Sequence, residues 1–385
     1  MLRYLDAGES HGKGIACIIE GMPGGLPLTA SYIEDELGRR RLGYGRGARM
    51  GLEQDRVEVI SGIRAGRTLG SPITLLVLNA EFDGWREVMA VEGEVRVEAV
   101  TAPRPGHADL AGALKYGTRD IRDILERASA RETVGRVCAG SVAKRLLEEL
   151  GVEVYSHVLE VGGVGVGPST DFPSIEDLRE ADSDDMRCLD AEASREMRRE
   201  VDKARESGDS LGGLFQVVVH GLPAGLGSHV HWDRRLDARL AAAVMGIQAV
   251  KGVEIGDGFE LARMRGSRAA DEILYDPGRG FYRSSNHGGG IEGGMSNGEL
   301  LLIRAAMKPI PTLANPLRSV DIVTREVVGA AVERADVCAV AAAAVIAESC
   351  VAFVLADAIM EKTGGDSLEE IATRYQAMVE RQSRF

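Results

Sequence analysis

The sequence has little cysteine and no cysteine pattern. Its five cysteines (Cys17, Cys138, Cys188, Cys338 and Cys350) are odd in number and scattered, with no C-x-x-C pair. Neither a disulfide framework nor a zinc ribbon is indicated. Positive charge is also in deficit. The net charge of −13 over 385 residues argues against a generic nucleic-acid or acidic-membrane binder. The start, Met1-Leu2-Arg3-Tyr4-Leu5-Asp6, lacks the apolar core of a signal peptide. A membrane span needs about 20 nearly uncharged residues. The longest apolar run, 337–360, is interrupted by Glu348 and Asp357 and reads as a buried helix. There is no linker rich in Pro and Ser, no low-complexity tract and no short-period repeat. The expectation is a soluble, cytoplasmic protein folded as one large domain over 1–385.

Familiar catalytic motifs are missing too. Gly8-Glu9-Ser10-His11-Gly12-Lys13-Gly14 resembles a phosphate loop, but three residues separate its glycines where four are needed. Gly14, not Ser or Thr, follows Lys13. No G-x-G-x-x-G joins a strand to a helix, so a Rossmann site is unsupported. Neither H-E-x-x-H nor G-x-S-x-G occurs, and no metal is expected.

What is present is histidine in glycine-bent loops. Three of the seven histidines sit this way: His11, His107 in Arg104-Pro105-Gly106-His107-Ala108-Asp109, and His287 in Asn286-His287-Gly288-Gly289-Gly290. Histidine titrates near neutrality, and glycine lets backbone approach a ligand closely. His11 and His107, each taken alone, read equally well as turn residues. A basic segment, 38–67, interleaves Arg40, Arg46 and Arg49 with Gly43, Gly45, Gly47 and Gly51. It reads as a solvated loop, an RNA-binding strip without its stacking aromatics, or an anion pocket. The glycines favour a loop folded over an anionic ligand. Arg127-Ala128-Ser129-Ala130-Arg131 and Lys308-Pro309-Ile310-Pro311-Thr312 add guanidinium, hydroxyl and ammonium groups. Asp109 and Asp336 precede helical patterns as candidate N-caps. Together these residues suggest a site for a polyanion, equipped with proton donors.

Strand-like runs occur at 56–63, 73–79, 152–161, 213–220 and 299–307. Helical patterns occur at 31–41, 109–128, 131–150, 174–207, 235–250 and 336–362. Strands and helices do not alternate regularly, so the prediction is α+β with antiparallel sheets.

Taken in order along the chain, these segments resemble the chorismate synthase family. The resemblance also uses Gln248-Ala249 and the glycines around Gly293, and it spans essentially the whole sequence. It implies a sandwich of helices between antiparallel β-sheets, assembled as a homotetramer. It implies 1,4-anti elimination of phosphate from 5-enolpyruvylshikimate 3-phosphate to give chorismate, in the shikimate pathway of aromatic amino acid biosynthesis. The family needs reduced FMN, with no net redox change. The family pattern implies catalytic roles for His11 near the departing phosphate, His107 near the flavin ring, and Asp336 in proton removal. It implies flavin contacts at Arg127, Ala128, Ser129, Gln248, Ala249, Gly293, Lys308, Pro309, Ile310, Pro311, Thr312 and Arg334. Arg40, Arg46 and Arg49 match substrate-binding arginines, the first two also associated with NADP. No reductase-like segment is visible, which points to an external supply of reduced flavin.

Overall fold

The computed structural model describes residues 1–47, 53–93, 97–166, 173–333 and 336–385. Two antiparallel sheets enclose two long helices. The first sheet holds β1 (Arg3–Ala7), β2 (Gly14–Glu20), β3 (Val57–Ser61) and β4 (Ile73–Leu78), in the order β1-β2-β4-β3. The second holds β5 (Glu153–Val161), β6 (Val164–Gly165), β7 (Gly213–His220), β8 (Val250–Ile255) and β9 (Leu301–Met307), in the order β8-β9-β7-β5-β6. This is the α+β sandwich expected from the sequence.

Among the described residues, the helices of seven residues or more are, in order, α1 (Ala30–Arg41), α2 (Asp109–Tyr116), α3 (Arg122–Ala128), α4 (Thr133–Glu149), α5 (Ala191–Ser207), α6 (Leu236–Met245), α7 (Val340–Thr363) and α8 (Leu368–Ser383). α4 packs on the first sheet, α7 on the second, and the two pack on each other. Their crossing is close. A Cβ on Gly140 would lie 2.2 Å from the Cβ of Ser349, so only glycine fits there. α7 is apolar around most of its circumference and buried along nearly its whole length, as a core helix must be.

The charge that interrupts α7 has a specific solution. Glu348 is 0% exposed. Its carboxylate accepts from Arg39 Nη1 at 2.6 Å and Nη2 at 3.0 Å, Lys144 Nζ at 3.0 Å, Arg187 Nη2 at 3.1 Å and Ser156 Oγ at 2.6 Å. Glu36 and Asp182 supply further negative charge to the same cations. A buried charge is tolerated only when paired and hydrogen-bonded in this way.

The structure corrects the sequence reading in several places. The pattern over 109–128 is two helices, because Gly117 takes the left-handed conformation, φ 73°, and caps α2. The pattern over 174–207 is also divided, into Ile175–Glu180 and α5, with Arg187 at φ 55° between them. The helix expected over 235–250 stops at Met245, and Val250 opens β8. Neither proposed cap is one. The N-cap of α2 is Ala108 and that of α7 is Ala339, and neither makes a side-chain cap. Asp109 and Asp336 direct their carboxylates elsewhere.

Candidate active site

The loop before β2 is pinned from three sides. Ser10 N–H donates to the Glu126 carbonyl at 3.0 Å, and Asn79 Nδ2 donates to the carbonyls of Glu9 and Gly12 at 3.0 and 2.7 Å. The Ser10 and Ser129 hydroxyls lie 3.2 Å apart. His11 is thereby buried, with its backbone N–H donating to Glu126 Oε2 at 2.7 Å and its Nδ1 2.9 Å from Glu126 Oε1. The ring stacks on Trp85, from the short helix Phe82–Trp85, with centroids 3.9 Å apart and planes 15° apart.

His107 is held by a second acid. Its Nδ1 hydrogen-bonds to Asp109 Oδ1, while Arg104 clamps the same carboxylate through Nε at 2.8 Å and Nη2 at 3.1 Å. Arg104 Nη1 reaches Thr312 Oγ1 at 2.9 Å, tying this loop to the proline-rich segment. Burial pushes the Asp109 carboxyl up, but the hydrogen bonds from His107 and Arg104 outweigh it and hold it well below the usual carboxylate range.

Arginines line the third side. Arg40 is 2% exposed and, among the described residues, makes only long contacts, to Thr133 Oγ1 and Asp55 Oδ2, both at 3.4 Å. Asp55 is shared with Arg131, which also donates to Asn79 Oδ1 at 2.9 Å and Glu53 Oε2 at 3.2 Å. Burial pushes the Arg40 guanidinium down to about 10, and Asp55 offsets this only in part. Asp336 accepts from Gly47 N–H at 2.6 Å and lies 3.1 Å from Arg46 Nε. It therefore fastens the arginine loop to the approach to α7.

These three groups face one cavity of about 750 Å³. That is within the size range of small-molecule sites. Apolar atoms from Ala128, Ala249, Met307, Ile310 and Pro311 contribute to its wall, with Lys308 beside them. Burial, with Lys251 nearby, lowers the Lys308 pKa.

Residues 2–360 match the family model described as chorismate synthase. The chain belongs to the chorismate synthase family. It is 55% identical over 378 residues to the chorismate synthase of Moorella thermoacetica, covering 98% of each chain. It is 56% identical over 391 residues to that of Pelobacter propionicus, covering 99% of each. A crystal structure of a chorismate synthase superposes with a TM-score of 0.82 at 41% identity, covering 100% of this chain and 99% of the other.

Of the positions the family resemblance singled out, His11, His107, Asp336, Arg40, Arg46, Ala128, Ser129, Gln248, Ala249, Lys308, Ile310, Pro311 and Thr312 line the cavity. Arg127 does not. It turns back to the carbonyls of Gly8 and Asp6, at 3.1 and 3.2 Å. Pro309 and Gly293 are likewise absent from the lining, and so is His287, whose Nδ1 pairs with Asp257 at 2.6 Å. Arg49 and Arg334 lie outside the described residues. The sequence reading missed Trp85, Glu126 and the support that Arg131 receives from Glu53 and Asp55. Glu126 precedes a recognised segment by one residue. Trp85, one of two tryptophans, sits in no motif.

Proposed function

We propose that this chorismate synthase family member eliminates phosphate from 5-enolpyruvylshikimate 3-phosphate in a 1,4-anti sense, giving chorismate, and that it uses reduced FMN without net redox change. The observation that carries the reading is convergence. His11, Arg40, His107, Lys308 and Asp336, far apart in sequence, line one cavity. The substrate's two carboxylates and phosphate need such cationic and hydrogen-bonding groups.

The cavity fits a flavin with a phosphate tail. Arg40, Arg46, Arg104, Lys308 and Gln248 line the cavity together, so cationic and amide groups are available to an anionic ligand there. Ala128, Ser129, Gln248, Ala249, Lys308, Ile310, Pro311 and Thr312 would hold the cofactor. The resemblance adds Arg127, Pro309, Gly293 and Arg334. Reduced FMN, when bound, supplies a transient loan of electron density to the allylic substrate, so that phosphate can leave without a strong base on the protein.

The chain's own residues do the rest. His11, with Nδ1 committed to Glu126, gives a proton through Nε2 to the departing phosphate. Arg40 and Arg46 hold the anionic substrate, and the resemblance adds Arg49. Asp336 is the carboxylate on the proton-removal side, kept in place by Arg46 and the Gly47 N–H. His107, braced by Asp109, sets the hydrogen bonding beside the cofactor. We also assign residues 1–385 to one catalytic domain, a cytoplasmic location, no nucleic-acid or membrane partner, and reduced flavin from an external source. NADP contact at Arg40 and Arg46 belongs to the same proposal. A homotetramer is supported by the outer face of the first sheet, where Leu5 is 72% and Ile60 60% exposed.

The test is anaerobic turnover with FMN held reduced, following chorismate formation and flavin absorbance. Turnover should require reduced flavin, and His11→Ala should lose about 10²–10⁴-fold in kcat while still binding FMN. Phosphate release in the complete absence of flavin would sink the reading.

A further inference from the structure

Two donors of His11 converge on one side chain. The backbone N–H reaches Glu126 Oε2 at 2.7 Å, and the ring Nδ1 lies 2.9 Å from Glu126 Oε1. Both residues are buried, so an unmade hydrogen bond here carries the full desolvation penalty. The backbone N–H can only donate. It therefore occupies one Glu126 oxygen permanently. The other oxygen of an ionised carboxylate can only accept, so Nδ1 must carry a proton. Trp85, stacked on the ring at 3.9 Å, keeps it from swinging out of this plane. Nε2 is then the nitrogen through which His11 exchanges a proton with a ligand in the cavity.

We propose that Glu126 is the positioning residue that fixes the protonated nitrogen and the orientation of His11, because only a carboxylate can accept from both His11 donors at once. It does not touch the cavity itself; it acts through the ring. The inference rests on the reading of His11 as the acid of the elimination. It has a sharp chemical corollary. Glutamine at 126 has one acceptor and one donor group. Its oxygen goes to the backbone N–H, and its NH₂ then faces Nδ1. The ring can satisfy that NH₂ only by moving its proton to Nε2. The doubly protonated ring needed for acid catalysis would put two donors face to face.

The experiment is ¹⁵N NMR of histidine-labelled protein, with His11 assigned by its loss in His11→Ala, alongside steady-state kinetics. Neutral His11 in the wild type should carry its proton on Nδ1. In Glu126→Gln the proton should move to Nε2, and kcat should fall on the order of 10²–10⁴-fold with KM changed only a few-fold. Glu126→Asp, which keeps two acceptors, should recover at least about tenfold of that loss. An Nε2 proton in the wild type, an unmoved proton in Glu126→Gln, or a Glu126→Gln enzyme with normal kcat would overturn the proposal. Should Glu126→Gln fail to fold, the wild-type spectrum alone decides. If His11→Ala retains turnover while the NMR result holds, the acid role of His11 fails and the assignment of Glu126 stands.

Discussion

Arg39 and Arg40 are neighbours on the last turn of α1, both largely buried, and they meet opposite fates. Arg39 makes four hydrogen bonds from 2.6 to 3.0 Å with Glu36, Asp182 and Glu348. Burial works against its charge, but Glu348 and Glu36 outweigh burial and push its pKa up. Arg40 has two contacts of 3.4 Å, and its Nε has no partner among the described residues. Burial dominates and lowers its pKa, while Arg131 and Arg46 add repulsion. One guanidinium is finished by short bonds within the fold. The other, with only long contacts among the described residues, lines the cavity. Buried charge is thus not one category: its completeness separates a structural arginine from a binding one.

The most severe break should come on the finished side. Glu348→Ala would leave Arg39, Lys144 and Arg187 buried around a void. We expect a loss of about 3–5 kcal/mol in urea or thermal unfolding, the scale for removing one partner of a buried ion pair. The pocket-side carboxylate should behave in the reverse way. Asp336→Asn should cost about 10²–10⁴-fold in kcat, the range for acid–base groups, with a much smaller loss of stability than Glu348→Ala, since asparagine keeps an acceptor for the Gly47 N–H and Asp336 caps no helix. A large fall in stability there would erase the contrast. Arg40→Lys keeps charge but loses the planar fork. Hydrogen bonds to charged groups are worth about 1.5–3 kcal/mol, so substrate affinity should fall roughly ten- to a hundredfold. Stability should move by less than about 1 kcal/mol, measured on the same protein by calorimetry and denaturation. The smallest effect is in acid. Burial raises the Glu348 pKa, but Arg39, Lys144 and Arg187 outweigh it and hold the carboxyl well below its usual range. The stabilisation is therefore present above the unfolded glutamate pKa of about 4.3 and is lost as pH falls further. Unfolding free energy of Glu348→Gln should depend less steeply on pH below about 4 than that of the wild type.

Legibility followed burial. The strand 213–220 was readable to the residue, because β7 is buried on both faces and stays apolar. β1 and β2 escaped notice. Their alternation is blurred by Leu5 and Ile18, apolar residues on the exposed face of the first sheet. α8 escaped for the opposite reason: only Ile371, Tyr375 and Met378 are buried in an otherwise polar helix. At the site, residues in glycine-bent loops stood out, since bent backbone and titratable side chains leave a local mark. Glu126 left none. A glutamate near the end of a helix looks like any solvated glutamate until His11, 115 positions away, is folded onto it. Asp336 showed the converse, a residue whose local pattern suggested a cap while its partners lay near position 46.

The lining of the cavity begins at Ser10 and ends at Ala339. During synthesis, then, the site is among the last features to exist. A chain still lacking α7 has both sheets' sequences but not Asp336 in place, and it offers a ligand no complete surface. Whatever fills the cavity binds the finished fold alone, and mass action adds about 2.7 kcal/mol of stability at a hundred times its Kd. A cell rich in that ligand would accumulate more of this protein than a cell starved of it, from the same messenger RNA, because fewer copies would be caught unfolded by proteases.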